Sequence, residues 1–398
     1  KDEDPRWFHA RILSSGIVGG SYAFLLPVVM SLPEGNVNSG GAAALRQAIL
    51  LATGGLIALI ALGETRRKND NDREAAENLR IHQQDTLDQQ KDQFEKQLEK
   101  QQEQFDANAF KDRKAERRER YTKAVEQLGD EKATVRMGGV YTLVGLVDEW
   151  LEEESIRKYE DRLKEGQVII NNLCAYIRSP FPLAERAEQL DGEYTKDLQN
   201  DFRGDTEKFD ADKRTFARDK ATLEEERQVR QSIIKEIRER IQDIDTPGSW
   251  SKFDYDFSNA YFFYPIGFTN SYFGASSRFF GATFTQDADF SGAIFTGRAP
   301  FFGAKFTGYA NFSKAKFTEY ANFFWAKFTG YADFSEAKFT KDVNFYKAEF
   351  TNANFSKAKF TGDADFSETE FTNADFSKAK FTNANFYKAE FTNANLSM

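Results

Sequence analysis

The chain has little of what enzymes use for chemistry. Its 398 residues include one cysteine and two histidines. Cys174 alone forms no internal disulfide, and a large soluble part without a disulfide framework fits a reducing compartment, most simply the cytoplasm. With His9 and His82 as the whole complement, histidine-based zinc sites and catalytic dyads lack material. No Ser-His-Asp, Cys-His, metal-ligand or phosphate-loop constellation occurs. No catalytic, metal-binding or cofactor-binding residue is therefore assigned, and neither an enzymatic activity nor a cofactor is expected. Cys174 falls on the apolar side of a helical pattern and reads as a packed core residue.

Charge is absent from two stretches near the start. Residues 12–32 carry none over 21 positions, enough for a helix to cross a hydrocarbon core of about 30 Å. Residues 47–63 are shorter, but 42–45 extend them and Arg46 can snorkel. The expectation is a membrane hairpin over 12–63, with spans at 12–32 and 44–63. A signal peptide followed by a buried helix is the alternative, but the first stretch exceeds a signal core and lacks an Ala-x-Ala-like end. Lys1, Arg6 and Arg11 precede the first span, and Arg66, Arg67, Lys68 and Arg73 follow the second. The positive-inside rule then puts residues 1–11 and the remainder of the chain in the cytoplasm, with the hairpin in the inner (plasma) membrane. Pro27 and the glycines at 16, 19, 20, 54 and 55 are compatible with kinks or close helix approach.

Proline and glycine are missing from 64–120, where Gln, Glu, Lys, Asp and Arg dominate. That composition favours one continuous helical stalk. Its heptads are half filled: Leu87 and Phe94 are seven apart, as are Leu98 and Phe105, while Gln84, Lys91 and Gln101 interrupt the seam. Weak pairing as a coiled coil is one reading and a solvated tether the other. Apolar periodicity returns at Tyr121 and defines a helical domain over 121–247. Val125, Leu128, Val135, Val140, Leu143, Leu146 and Val147 fit an antiparallel pair turning at Gly129 and Asp130. A helix near 167–178 stops before Pro180 and Pro182. Residues 192–226 read as a charged insertion, either a helical excursion or a loose segment, and 229–241 as a further amphipathic helix.

From 251 to 398 the chain is electroneutral, with 15 basic and 15 acidic residues, so the acidic excess behind the net charge of -9 lies earlier. Phenylalanines stand at 284, 290, 295, 301, 306, 312, 317, 323, 328, 334, 339, 345 and 350, in alternating steps of six and five. From Phe366 the step is five, through 371, 376, 381, 386 and 391 to Leu396. Alanine precedes most of these centres by two positions. A period of five smears around an α-helix and swaps faces in a flat sheet. It suits a chain that turns a corner at every unit, keeps Ala and Phe inside, and stacks its turns as β ladders. The six-residue steps are expected to be bulges or widened corners at alternate units.

The unit Ala-(Asn/Asp/Lys)-Phe-(Thr/Ser)-x resembles the pentapeptide-repeat family, which implies a right-handed quadrilateral β-helix of about six to seven coils. Asp130, Val135, Arg136, Gly138, Gly139, Leu143 and Leu146 resemble a HEAT-type repeat, in which such an arginine ties neighbouring helices. The order of parts, with AVEQLG at 124–129 and VRMGGVYTL at 135–143, resembles bacterial membrane-anchored pentapeptide-repeat proteins. That resemblance implies no activity. Tyr309, Tyr320, Trp325, Tyr331, Tyr346 and Tyr387 fall outside the centres and are the candidate protein contacts, although scattered exposed aromatics are also ordinary. The chain stops shortly after Leu396, so Phe391 and Leu396 are candidate contacts for dimerisation through an uncapped last coil. The leading expectation is a non-catalytic membrane scaffold that binds the lipid bilayer and a protein partner. A self-associating structural oligomer, joined through the stalk and the last coil, is the alternative. A pore has only the glycine-rich spans behind it. A DNA mimic acting on topoisomerase would need a strongly negative rod, so neutrality argues against it and no nucleic-acid partner is expected.

Overall fold

A computed structural model describes residues 5–29, 39–242 and 246–397. The chain divides into two units, residues 1–107 and 108–398. In the first, helix α1 (Pro5–Val29) lies against the start of helix α2 (Ser39–Leu128). The end of the expected first span, 30–32, lies outside the described residues, as do 33–38. Contacts run in opposite chain directions. Gly16 approaches Ile57, Gly19 sits on Thr53, and the Arg46 guanidinium is 5.4 Å from the centre of the Phe24 ring. A Cβ at Gly19 would fall 1.9 Å from Thr53 Cγ2, so only glycine permits this approach. Leu13, Ile17, Phe24, Leu51, Leu59 and Leu62 all remain exposed. Among the described residues, one helix, within Ala43–Leu128, is long and apolar enough to cross a membrane, and its apolar window is unburied.

The second expected span, the stalk and the first helix of the helical domain are one element, because nothing from 64 to 128 breaks a helix. Leu87, Phe94, Leu98 and Phe105 are each more than half exposed along it.

In the second unit the end of α2 packs with α3 (Ala133–Leu151), α4 (Tyr159–Arg178) and α7 (Thr206–Ile241). Short helices α5 (Ala187–Asp191) and α6 (Leu198–Phe202) connect them after a 3-10 turn at Pro182–Arg186. The charged insertion and the amphipathic helix expected after it are in large part the single helix α7. No glycine or proline interrupts 206–241, and Asp205 caps its start by accepting from the Lys208 N–H at 3.1 Å. Leu143, Leu146, Val147, Ile170, Leu173, Val229, Ile233 and Ile237 form the core. Cys174 is fully buried there, and burial pushes its thiol up to about 12. Glycine at 139 lets α3 approach α2: a Cβ would stand 2.7 Å from the Ala124 carbonyl oxygen. Arg136 donates to the carbonyls of Asp130 and Glu131 at 2.9 and 2.8 Å and pairs with Glu226 of α7.

Residues 255–395 form a parallel β-solenoid of four short strands per turn. Thr283–Phe284, Ala288–Asp289, Ile294–Phe295 and Ala299–Pro300 make one turn, and Lys305–Phe306 then pairs with Thr283–Phe284. These four strands define the first to fourth sides. Seven strands stack on the first side. The turn is 22 residues in the early coils and 20 in the last, as Phe306↔Phe328 and Phe371↔Phe391 show. The register shifts between Phe328 and Tyr331 and between Phe360 and Asp363, which places the extra residue of the six-residue steps at a corner.

Inside, phenylalanines stack in columns. Phe284, Phe306 and Phe328 follow one another at 4.5 and 4.7 Å with nearly parallel rings. Each such pair adds about 0.5–1.5 kcal/mol beyond area burial. The Asn or Asp before a centre faces outward and closes the next corner. Asn311 Oδ1 accepts from the Ser313 N–H at 3.0 Å, and Asp333 repeats this with Ser335 at 2.8 Å.

The helical layer covers the first turn of the solenoid and shares one buried core with it. Trp250 donates its indole N–H to Asp148 at 2.7 Å, and Arg178 of α4 pairs with Asp256. Gln167 exchanges two 2.8 Å bonds with the backbone of Asp254. The end of the ladder that would otherwise expose its backbone is thereby satisfied.

Candidate functional site: the outer corners of the solenoid

Two of the four corners are tight. They follow the fourth and second sides and pass through Phe279-Phe280-Gly281-Ala282 and Phe290-Ser291-Gly292-Ala293. The third residue of each has positive φ: 63° at Gly281, 66° at Gly292 and 62° at Gly303. Glycine suits that conformation, yet later turns place other residues there, Lys314, Trp325, Glu336 and Lys347 among them. Trp325 has φ 56° and is half exposed. A bulky side chain there is uncommon, and the coil geometry that gives every turn nearly the same φ at this position imposes it on Trp325 whatever its surroundings.

Those surroundings are aromatic. Phe280, Phe302, Phe324 and Tyr346 occupy the position just after the buried centre on four successive turns, on the outside of one corner. Their rings stack at 5.0, 5.0 and 5.3 Å. Trp325 lies 4.6 Å from Phe324 and 6.0 Å from Phe302. Lys347 places its ammonium 5.1 Å from the Tyr346 ring.

The structure distributes the six aromatic residues selected from the sequence over three corners. Trp325 and Tyr346 belong to the ladder just described. Tyr387 stands on the same corner, separated from Tyr346 by Ser367, and is 65% exposed. Tyr309 and Tyr331 stack at 5.6 Å on the corner between the first and second sides. Burial, with Asp333 beside it, pushes the Tyr309 phenol up to about 12. Tyr320 stands between the third and fourth sides, away from the others. Phe391 is half-buried, stacked on Phe371 at 4.9 Å, and Leu396 is 52% exposed. Sequence reasoning missed Phe280, Phe302 and Phe324, which look like more of the core. Arranging the sequence in rows of one turn exposes them, since each directly follows a centre and they recur every 22 residues.

Residues 279–324, 301–349, 325–370 and 355–397 match the family described as pentapeptide repeats (9 copies). No curated protein and no solved structure matches the chain. The C-terminal part is thus a pentapeptide-repeat β-solenoid that follows a helical N-terminal region, an architecture suited to protein interaction or structural support.

Proposed function

We propose that this is a non-catalytic, membrane-anchored scaffold whose solenoid recruits a protein through the corner formed by Phe280, Phe302, Phe324, Trp325 and Tyr346. The observation that carries the reading is Trp325. A left-handed backbone holds a half-exposed indole against an aromatic ladder, where the other turns carry asparagine, glycine, lysine or glutamate. Interface centres are enriched in tryptophan, tyrosine and arginine, and rigid rings gain contact area at small entropic cost. The anchor is a two-helix hairpin of α1 and the start of α2 in the inner membrane of a bacterium, with both termini cytoplasmic. The Gly19-Thr53 approach and the lysines and arginines outside the hairpin support it. The helical domain is HEAT-like, with Arg136 as its tie.

The test is purification of the full chain in mild detergent beside the Trp325→Gly variant. A foreign protein held in fixed ratio by the wild type and lost by the variant supports recruitment. Equal retention by both removes the corner from the function. Self-association through the stalk, Phe391 and Leu396 is a second reading, favoured by the half-exposed Leu396. Leu396→Lys should then lower the mass of the detergent-solubilised chain, and an unchanged mass would count against it.

A further inference from the structure

The solenoid is neutral as a whole, but two of its sides carry runs of like charge in register. On the third side Lys316, Lys338, Lys359 and Lys380 stand one above another in register. All four are exposed, and several line one open groove. Among the described residues, the lysine–glutamate pairs within the solenoid, Lys327–Glu349, Lys347–Glu368 and Lys357–Glu336, involve other lysines. Like charges directly opposed on neighbouring strands repel. The row is held in place by the buried column behind it, Phe317 to Phe339 to Phe360 to Phe381, at 4.9, 4.9 and 4.6 Å.

On the first side Glu349, Glu370 and Glu390 are likewise in register, above Lys305 and Lys327 in the same column, and Glu349 pairs with Lys327 at 2.6 Å. Behind them Phe350, Phe371 and Phe391 repeat at 5.1 and 4.9 Å. Two corners separate the first side from the third on a four-sided turn, so the rows face opposite directions. Their pitch is the same because one backbone ladder sets both.

We propose that a second copy of this chain docks sideways, with the glutamate row of one solenoid against the lysine row of the next. Lys338 precedes Glu349 by 11 residues, Lys359 precedes Glu370 by 11, and Lys380 precedes Glu390 by 10, which is half a turn in each case. A neighbour displaced sideways without rotation therefore presents Glu370 and Glu390, and Glu349 in exchange for its Lys327 partner, offset from the ammonium groups by half the ~4.8 Å strand spacing, within side-chain reach. An anionic lipid surface or a foreign acidic protein would also attract the lysines. Neither would account for the matched carboxylate row on the opposite side. The contact joins unlike faces, so it is heterologous and continues into a row of parallel solenoids rather than closing as a two-fold dimer. It does not rest on recruitment through the aromatic corner, whose ladder spans 280–346 whereas the glutamates span 349–390.

The test is sedimentation of the full chain in mild detergent at about 50 and about 500 mM salt, which screens exposed charges to different degrees. One variant carries Lys338→Glu, Lys359→Glu and Lys380→Glu; the other carries Glu349→Lys, Glu370→Lys and Glu390→Lys. Wild type should associate at low salt and come apart at high salt. Each variant alone, with like charges on both sides, should associate at least about tenfold more weakly, a cost of about 1.4 kcal/mol. An equimolar mixture of the two should restore assembly. Substitution of the same residues by Gln, which avoids reversed charge in the fold, should also weaken it. Wild type that stays apart at low salt overturns the proposal, and so do variants that associate like wild type. A mixture that stays apart assigns the lysine row to another anion and overturns the second copy as its occupant.

Discussion

Trp325 stands one turn above Gly303 and keeps its left-handed backbone, with φ 56° at the tryptophan and 62° at the glycine. Asn259, Gly281, Lys347, Glu368 and Lys388 hold the same left-handed backbone on other turns of this corner, and Trp325 is the bulkiest residue to occupy it. Trp325→Gly should leave the melting temperature unchanged or raise it, since removing the strain is worth about 1 kcal/mol and offsets the lost ring contacts. Thermal unfolding of the full chain measures this. A clear loss of stability would make the tryptophan a structural residue of the corner.

Phe323 and Phe324 are neighbours with opposite duties. Phe323 is fully buried and stacks on Phe301 and Phe345 at 4.9 Å on each side. Phe324 lies outside. Phe323→Ala should cost about 3–5 kcal/mol, as large core truncations do. Phe324→Ala should cost less than about 1 kcal/mol while weakening recruitment. Denaturant midpoints of the two variants separate the roles.

Glu153 joins the end of α2 to the segment after α3 through Arg113 and Arg117, at 3.2 and 2.8 Å. Burial alone would raise its carboxyl, but hydrogen bonds from Ser155, Arg113 and Arg117 prevail and hold it at about 2 rather than the ordinary 4.5. A folded-state value below the unfolded one contributes stability that is complete above about pH 4.5 and disappears as pH falls toward 2. Wild type should lose stability across that window. Glu153→Gln should be weaker at neutral pH and show a flatter acid limb in denaturation curves at pH 7 and pH 3.

Gly166 marks where the helical layer meets the solenoid. A Cβ there would stand 2.7 Å from Phe253 Cζ and 3.5 Å from Val147, and Phe253 is itself buried. Two ring atoms, Cζ and Cε1, would lie within 3.0 Å of that Cβ and the buried ring would have to shift, so Gly166→Ala should destabilise the second unit by about 1–3 kcal/mol despite its better helix propensity. A higher denaturant midpoint in the variant would show that this junction has slack.

The repeat was legible because its period excludes both helix and flat sheet, and the six-residue steps marked the corners where the register shifts. The outer ladder was not, since Phe280, Phe302 and Phe324 share their residue type with the core and only the length of a turn separates the two sets. Charge hid similarly. Lysines and glutamates alternate along the sequence and cancel, but a turn of 20 to 22 residues sorts Lys316, Lys338, Lys359 and Lys380 to one side. In the helical part, the chemistry of 206–226 suggested an excursion distinct from the helix after it, whereas the absence of any breaker before Ile241 joins them. The Trp250-Asp148 bond lay beyond reach, because the partners are 102 residues apart and no local pattern links them.

Recruitment through the aromatic corner is tested most directly by a photo-crosslinking benzophenone side chain placed at Phe324 of the full chain in living cells, with Asn383 on another corner as the control. The account predicts one discrete heavier adduct containing a foreign protein from position 324 and none from 383. No adduct at 324, or the same adducts at both positions, would contradict it.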